Sequence, residues 1–175
     1  HFSPERIMRS GLFHFIHDPV MLNFSLKESM KKPVVLSANA GTKLNVLGDE
    51  VVIKIHGRDT GGVYSQVTTG GSQGKGPPMH IHHRENETFY CITGEFKVIC
   101  DGKEYKLTPG MVAHLPKGIP HRFEATGPGE NRMLVTITPA GFEGFFEEIG
   151  AMSEAEQQNI PQVIAIGEKY GVEFL

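Results

Sequence analysis

The chain has little that would mark a secreted or a nucleic-acid-binding protein. Its 175 residues include only two cysteines, Cys91 and Cys100, too few for a disulfide framework. Both lie in apolar runs, so we interpret them as buried small side chains, which fits a reducing cytoplasm. The net charge is -3 and neither sign forms a long run, so we expect no nucleic-acid partner.

The N-terminal residues 1–29 lack both a membrane-spanning run and a secretory signal. Histidines and an aspartate interrupt their apolar residues, and no small-residue cleavage site follows an apolar region. We therefore expect no membrane association and a cytoplasmic location. We interpret residues 1–29 as an extension that is foreign or peripheral to the fold, with Met30 as an alternative start.

Residues 30–140 read as a series of short strands in one domain. Glycines and prolines separate eight alternating segments, at 50–57, 61–71, 87–94, 95–102, 103–110, 111–118, 121–127 and 132–139. Eight strands at this spacing predict an all-β barrel or sandwich. Gly94 and Gly102 stand where hairpin turns need a positive φ, so neighbouring strands are predicted to pair antiparallel.

Residues 141–175 have the pattern of short helices packed on the barrel. One apolar stripe follows helical spacing, at Phe142, Phe145, Phe146, Ile149 and Met152. Ser153 with Glu156 predicts a capping box, Pro161 opens a further helix, and Gly171 stands at its end. The stripe is interpreted as packing, with closure of a pocket as the less favoured alternative.

A concentration of histidines and glutamates lies between Gly74 and Gly94. On a strand His80 and His82 point to one face, and Glu87 belongs to the next strand, after a short turn. If that hairpin closes inward these side chains converge, and His121 is available from a neighbouring strand. Three imidazoles and a carboxylate suit one divalent transition metal (Fe, Mn, Ni, Co, Cu or Zn). The alternative is a polar barrel mouth with hydrogen-bonded histidines.

Other residues near this stretch receive different interpretations. His83 and Glu85 fall on the turn with the wrong parity, so both are expected in a solvated loop. His114 is expected to be a hydrogen-bonded histidine of the core or rim. An apolar wall of a small-molecule pocket is predicted from inward strand parity, at Phe89, Phe96, Val98 and Phe123.

These residues resemble the two motifs of the cupin superfamily of small double-stranded β-helix proteins. The first motif is matched by Gly74, His80, His82, Glu87 and Gly94, and the second by Gly110, Pro116, Gly118 and His121. Ala125 stands where the family usually has an Asn that is not a metal ligand. The resemblance implies a jelly-roll barrel with short C-terminal helices, and a metal held by His80, His82, Glu87 and His121.

A narrower likeness is carried by "GPPMHIHHRENETFYCITGEFKV", "TPAGFEGFFEEIG" and "EKYGVEFL". These segments are similar to single-domain bacterial cupins of the quercetin 2,3-dioxygenase-like type. That similarity implies a homodimer and a metal-dependent dioxygenase that acts with dioxygen on a small aromatic or enolisable substrate. In such an enzyme Glu87 would be both a metal ligand and the catalytic base.

Two alternatives stay open beside the dioxygenase. One is a metal-dependent isomerase or binding protein for a sugar or another small polar ligand, which should line its barrel with Lys, Arg, Asn and Gln. The other is a metal-bearing protein without catalytic activity, which turnover alone would exclude.

Overall fold

The computed structural model describes residues 32–175, which form two antiparallel β-sheets and four short helices. The interpretation of residues 1–29 therefore lies outside the described residues. The strands are β1 (Thr42–Val46), β2 (Asp49–Ile55), β3 (Ser65–Gly71), β4 (His80–His82), β5 (Asn86–Thr93), β6 (Phe96–Cys100), β7 (Lys103–Leu107), β8 (Val112–Leu115), β9 (His121–Ala125), β10 (Asn131–Thr138) and β11 (Val172–Phe174). The helices are α1 (Gly57–Thr60), α2 (Glu143–Gly150), α3 (Glu154–Gln157) and α4 (Ile160–Lys169).

The two sheets face each other as a jelly roll. The six-stranded sheet has the order β1-β2-β3-β10-β5-β8, and the five-stranded sheet has the order β11-β4-β9-β6-β7. The predicted all-β, double-stranded β-helix fold is confirmed. Within residues 32–175, no helix combines the length and the apolar character needed to cross a bilayer.

Strand β10 shows how the sequence pattern builds the core. Met133, Val135 and Ile137 are buried while the residues between them are half-buried, the alternation of a sheet with one face inside. On β5 the buried Glu87 stands opposite Ile137, and Phe89 stands opposite Val135. The sheet register thus places the carboxylate of Glu87 on the same inner face as the apolar core.

The two glycine turns differ from each other. Asp101 and Gly102 both have positive φ, 53° and 69°, and they join β6 to β7 as the predicted hairpin. The hairpin predicted at Gly94 is wrong, because β5 and β6 lie in different sheets. Gly94 has φ 76°, and a Cβ there would clash with Asn131 Oδ1. This turn therefore packs on Asn131 and carries the chain from one sheet to the other.

The C-terminal residues form helices and one strand. The capping box of Ser153 and Glu156 is present, and Gly171 follows α4 with φ 81°. Helix α2 buries Phe145 and Ile149 against the barrel. The chain then adds β11 beside β4, a strand that the sequence pattern did not reveal because three residues are too short to show alternation.

Candidate metal centre

Strands from both sheets bring the four predicted ligands together. His80 and His82 lie on β4 of the five-stranded sheet, and His80 is paired with His121 on β9. Glu87 enters from β5 of the opposite sheet. All four side chains are buried, and one ligand atom from each lies within 4.8 Å of all the others. The described residues thus contain a compact group of three imidazoles and one carboxylate between the sheets.

Two of the imidazoles are held by backbone carbonyls. His80 Nδ1 lies 2.9 Å from the carbonyl oxygen of Pro78, and His121 Nδ1 lies 2.9 Å from that of Ile119. A carbonyl oxygen only accepts, so Nδ1 of each ring carries the hydrogen and donates it. In a neutral ring this leaves the Nε2 lone pair directed to the centre of the site. His121 Nε2 lies 3.0 Å from Glu87 Oε2, and this contact is a hydrogen bond when the His121 ring is protonated on both nitrogens.

The charges of the site follow from burial and from these contacts. Burial, the largest influence, lowers the pKa of His80 to about 4, so this ring is neutral at neutral pH. Burial alone would raise the pKa of Glu87, but the electrostatic influence of the neighbouring His82 ring and the hydrogen bond with His121 outweigh it and hold that pKa at about 2. Burial would lower the pKa of His121, yet the hydrogen bond and charge of Glu87 raise it above its usual 6.5.

The donor set fits a divalent transition metal. Both ring nitrogens of His82 are buried without a hydrogen-bond partner among the described residues, and Nε2 lies 3.7 Å from Glu87 Oε2. A buried nitrogen without a partner is costly unless a cation or donor reaches it. Mixed nitrogen and oxygen ligands suit Fe, Mn, Co, Ni, Cu or Zn. Neither cysteine belongs to the group, so thiolate ligation plays no part.

A cavity of about 170 Å³ opens beside these residues. Its lining includes His80, His82 and Glu87, while its other polar side chains are Asp49 and Thr69. The rest of the wall is apolar and rich in phenylalanine, from Phe89, Phe123, Phe142, Phe145, Phe146 and Phe174 together with several valines. The arrangement is an apolar chamber whose wall includes three of the four candidate metal ligands.

The predicted wall residues divide into two pairs. Phe89 and Phe123 line the cavity, and their rings meet edge to face with centroids 5.7 Å apart. Phe96 and Val98 do not line it, although both are buried. Phe96 packs behind Phe123, at 6.0 Å between centroids, so it supports the wall rather than forming it.

Phe142, just before α2, and Phe145 and Phe146 on that helix belong to the cavity wall, the role that the sequence made the less favoured alternative to packing. Phe142 packs edge to face on the His82 ring, with centroids 4.4 Å apart, and stacks on Phe145 at 5.1 Å. The helical stripe was the signal for this wall, since an apolar helix face next to a barrel opening can cover it. Phe174 had no comparable signal, because β11 was not recognised.

Three further polar residues had sequence expectations. Glu85 was expected in a solvated loop, and this is wrong: its side chain is buried, with Oε2 3.5 Å from His82 Nδ1. His83 is exposed and pairs with Glu173 at 2.9 Å. His114 is exposed on the outer side of β8, where Thr88 lies 3.0 Å from its Nδ1, so it does not reach the barrel interior.

A family model and two curated relatives match this chain. The cupin domain model matches residues 70–137. Quercetin 2,3-dioxygenase from Bacillus subtilis (strain 168) is 31% identical over 119 residues, which cover 67% of this chain and 35% of that protein. Quercetin 2,3-dioxygenase from Aspergillus japonicus is 33% identical over 76 residues, covering 41% of this chain and 21% of that protein.

Solved structures agree on the fold. An RmlC-like cupin from Shewanella frigidimarina superimposes with a TM-score of 0.54 at 19% identity, over 65% of this chain and 96% of that one. At this identity the likeness shows the fold alone. The chain spans about a third or less of the length of the two curated relatives.

Proposed function

This chain belongs to the cupin superfamily, and we propose that it is a metal-dependent dioxygenase acting on a small aromatic or enolisable substrate. The observation that carries the proposal is the buried group of three histidines and one glutamate beside an apolar, phenylalanine-rich cavity. The names of the two curated relatives support the same reaction class.

The metal would be held by His80, His82, Glu87 and His121, one ion per chain. When bound, it would supply Lewis acidity toward a substrate hydroxyl and, with open positions left by four protein ligands, a place for dioxygen. We propose that any of Fe, Mn, Ni, Co, Cu or Zn is compatible with this donor set.

Glu87 is the residue proposed to accept the substrate proton. Glu87 is ionised at neutral pH. The cavity is lined by two carboxylic side chains, Asp49 and Glu87, and only Glu87 lies within the group of histidines. A pKa near 2 makes it a weak base, so the transfer requires a substrate hydroxyl that is itself acidic or acidified by the metal. An enolisable or phenolic substrate meets that requirement better than a sugar alcohol.

The cavity wall supports an aromatic substrate over a sugar. Among the described residues that line it, none is Lys, Arg, Asn or Gln. Thr69, opposite Met133 on β10, and Glu87, opposite Ile137, both line the cavity, so wall residues four positions apart along that strand border it. We infer that Phe89 and Phe123 contact the substrate, with Phe96 and Val98 behind them.

Oxygen uptake tests the proposal. Protein purified without a histidine tag would be analysed for its metals and assayed with a panel of flavonols and catechols, beside His80→Ala as the metal-site control. We expect metal-dependent consumption of oxygen with at least one substrate and none with the variant. Metal-loaded protein that consumes no oxygen with any enolisable substrate would favour the sugar or polar-ligand alternative.

The proposal also includes a homodimer in the cytoplasm. Strand β8 is an edge of the six-stranded sheet, and exposed apolar side chains cluster there and on the adjacent β5, at Val112, Tyr90 and Ile92. A second copy would bury them. Light scattering of Val112→Lys beside the native protein tests this interface, and a variant that keeps the dimer mass would contradict it.

The proposed cytoplasmic location agrees with the two free thiols, Cys91 and Cys100, since a reducing compartment keeps thiols unpaired.

A further inference from the structure

Two buried polar atoms beside the metal-ligating residues face each other without a hydrogen-bond partner. His82 Nδ1 and Glu85 Oε2 are both inaccessible to solvent, and they lie 3.5 Å apart. A carboxylate can accept a hydrogen but has none to give when ionised, while a neutral imidazole carries one on either nitrogen. A small rotation of either side chain would make this contact a hydrogen bond.

The other two imidazoles show what role such a contact plays. In His80 and His121 the Nδ1–H donates to a backbone carbonyl, which fixes the tautomer and leaves Nε2 directed to the centre. His82 has no carbonyl in this role, since its Nδ1 has no hydrogen-bond partner among the described residues. Glu85 is the acceptor in the equivalent position for the third ring.

The fold holds Glu85 there through the turn between β4 and β5. The neighbouring residues of that turn are tied to the C-terminal segment, as His83 N donates to Gly171 O at 2.8 Å and Arg84 Nη1 donates to Lys169 O at 3.1 Å. With both neighbours anchored outward, the turn directs Glu85 inward, where its side chain is 5% exposed. The burial is therefore built into the turn rather than incidental.

We propose that Glu85 is a positioning residue of the metal site: its carboxylate accepts the Nδ1–H of His82 and holds Nε2 of that ring toward the metal. The inference rests on the proposed metal-binding function of the four ligands. Carboxylates that orient ligating histidines in this way change metal affinity by about 10- to 100-fold when they are removed. Glu85 itself contacts neither metal nor substrate.

Metal affinity measured by competition with a chromophoric chelator tests the proposal, with Zn²⁺ and Co²⁺ as probes. Glu85→Ala should weaken binding by about 10- to 100-fold. Glu85→Gln should bind within a few-fold of the native protein, because the amide oxygen accepts the same hydrogen. His83→Ala, on the same turn but exposed, is the matched control and should bind as the native protein does.

A second readout follows the hydrogen itself. In the zinc-loaded native protein, NMR should show a downfield, slowly exchanging Nδ1–H signal from His82, and Glu85→Ala should abolish it while Glu85→Gln retains it. If Glu85→Ala does not fold, Glu85→Asp replaces it, since the shorter side chain withdraws the carboxylate from His82 and should also weaken binding.

The outcomes separate this inference from the function on which it rests. Native affinity in Glu85→Ala, or equal losses in the Ala and Gln variants, would overturn the positioning role while leaving the metal site intact. Failure of the native protein to bind either metal, with no effect of His80→Ala, would instead overturn the proposed function.

Discussion

Replacing Glu87 by glutamine removes one negative charge from the centre of the site with almost no change of shape. In the native chain Glu87 Oε2 lies 3.0 Å from His121 Nε2 and 3.7 Å from His82 Nε2, and its pKa of about 2 keeps it ionised at neutral pH. The amide of Gln offers an oxygen to the same space but cannot take up a proton. The substitution therefore separates ligation from base catalysis.

Proton transfer by a positioned base contributes about 10²- to 10⁴-fold to a rate. We expect Glu87→Gln to keep a good part of its metal and to lose oxygen consumption by that factor, measured with an oxygen electrode on protein of known metal content. Glu173→Gln, at an exposed carboxylate, is the control and should leave both quantities unchanged. A Gln variant that binds metal and turns over at the native rate would show that Glu87 is no base.

Three further variants test ligation, a buried carboxylate and a close backbone approach. The double substitution His80→Ala, His82→Ala should abolish stoichiometric metal in elemental analysis, and full occupancy would refute the ligand assignment. The Glu143 carboxylate accepts hydrogen bonds from Gly57 N at 2.8 Å and from Gly141 N at 2.7 Å. Burial alone would raise the pKa of Glu143, but these hydrogen bonds have the larger combined effect and lower that pKa below 4.5. The ionised Glu143 therefore stabilises the fold above pH 4.5, and this contribution is lost as the pH falls. Glu143→Gln should lower the free energy of unfolding by about 1.5–3 kcal/mol at neutral pH and by less in acid, as measured by denaturant titration. An equal cost at both pH values would contradict this. Gly171→Ala should lower the melting temperature, because its Cβ would lie 2.7 Å from Arg84 Nε at φ 81°, and an unchanged melting temperature would refute the clash.

The sequence pattern predicted which side chains point into the barrel better than it predicted which of them line the cavity. Alternation correctly predicted that His80 and His82 share one inner face and that Phe96 and Val98 point inward. It could not tell a residue that borders the cavity from one that packs behind it, since both are buried apolar positions. That distinction depends on how the two sheets and α2 come together, which no local pattern records.

The paths of the turns were the second feature that the sequence did not predict correctly. Gly94 has the predicted positive φ, yet it leads into the other sheet instead of a hairpin, because the same backbone conformation serves both connections. Glu85 was misplaced because strand parity does not extend through the turn between β4 and β5. Its neighbours His83 and Arg84 are held by hydrogen bonds to Gly171 and Lys169, far along the chain, and these contacts fix the turn that carries Glu85.

Strand β11 pairs with the strand that carries two of the proposed ligands, although the two strands lie far apart in the chain. Val172 pairs with His82 and Phe174 with His80, about 90 residues earlier in the chain. During synthesis, β4 and its histidines emerge long before the neighbour that completes their edge, and contacts of such high separation form slowly. The edge of β4 that carries His80 and His82 is therefore completed only after residues 172–174 have been made. We therefore expect the complete geometry of the proposed metal site, and any preference for one metal that depends on it, only in the finished jelly roll.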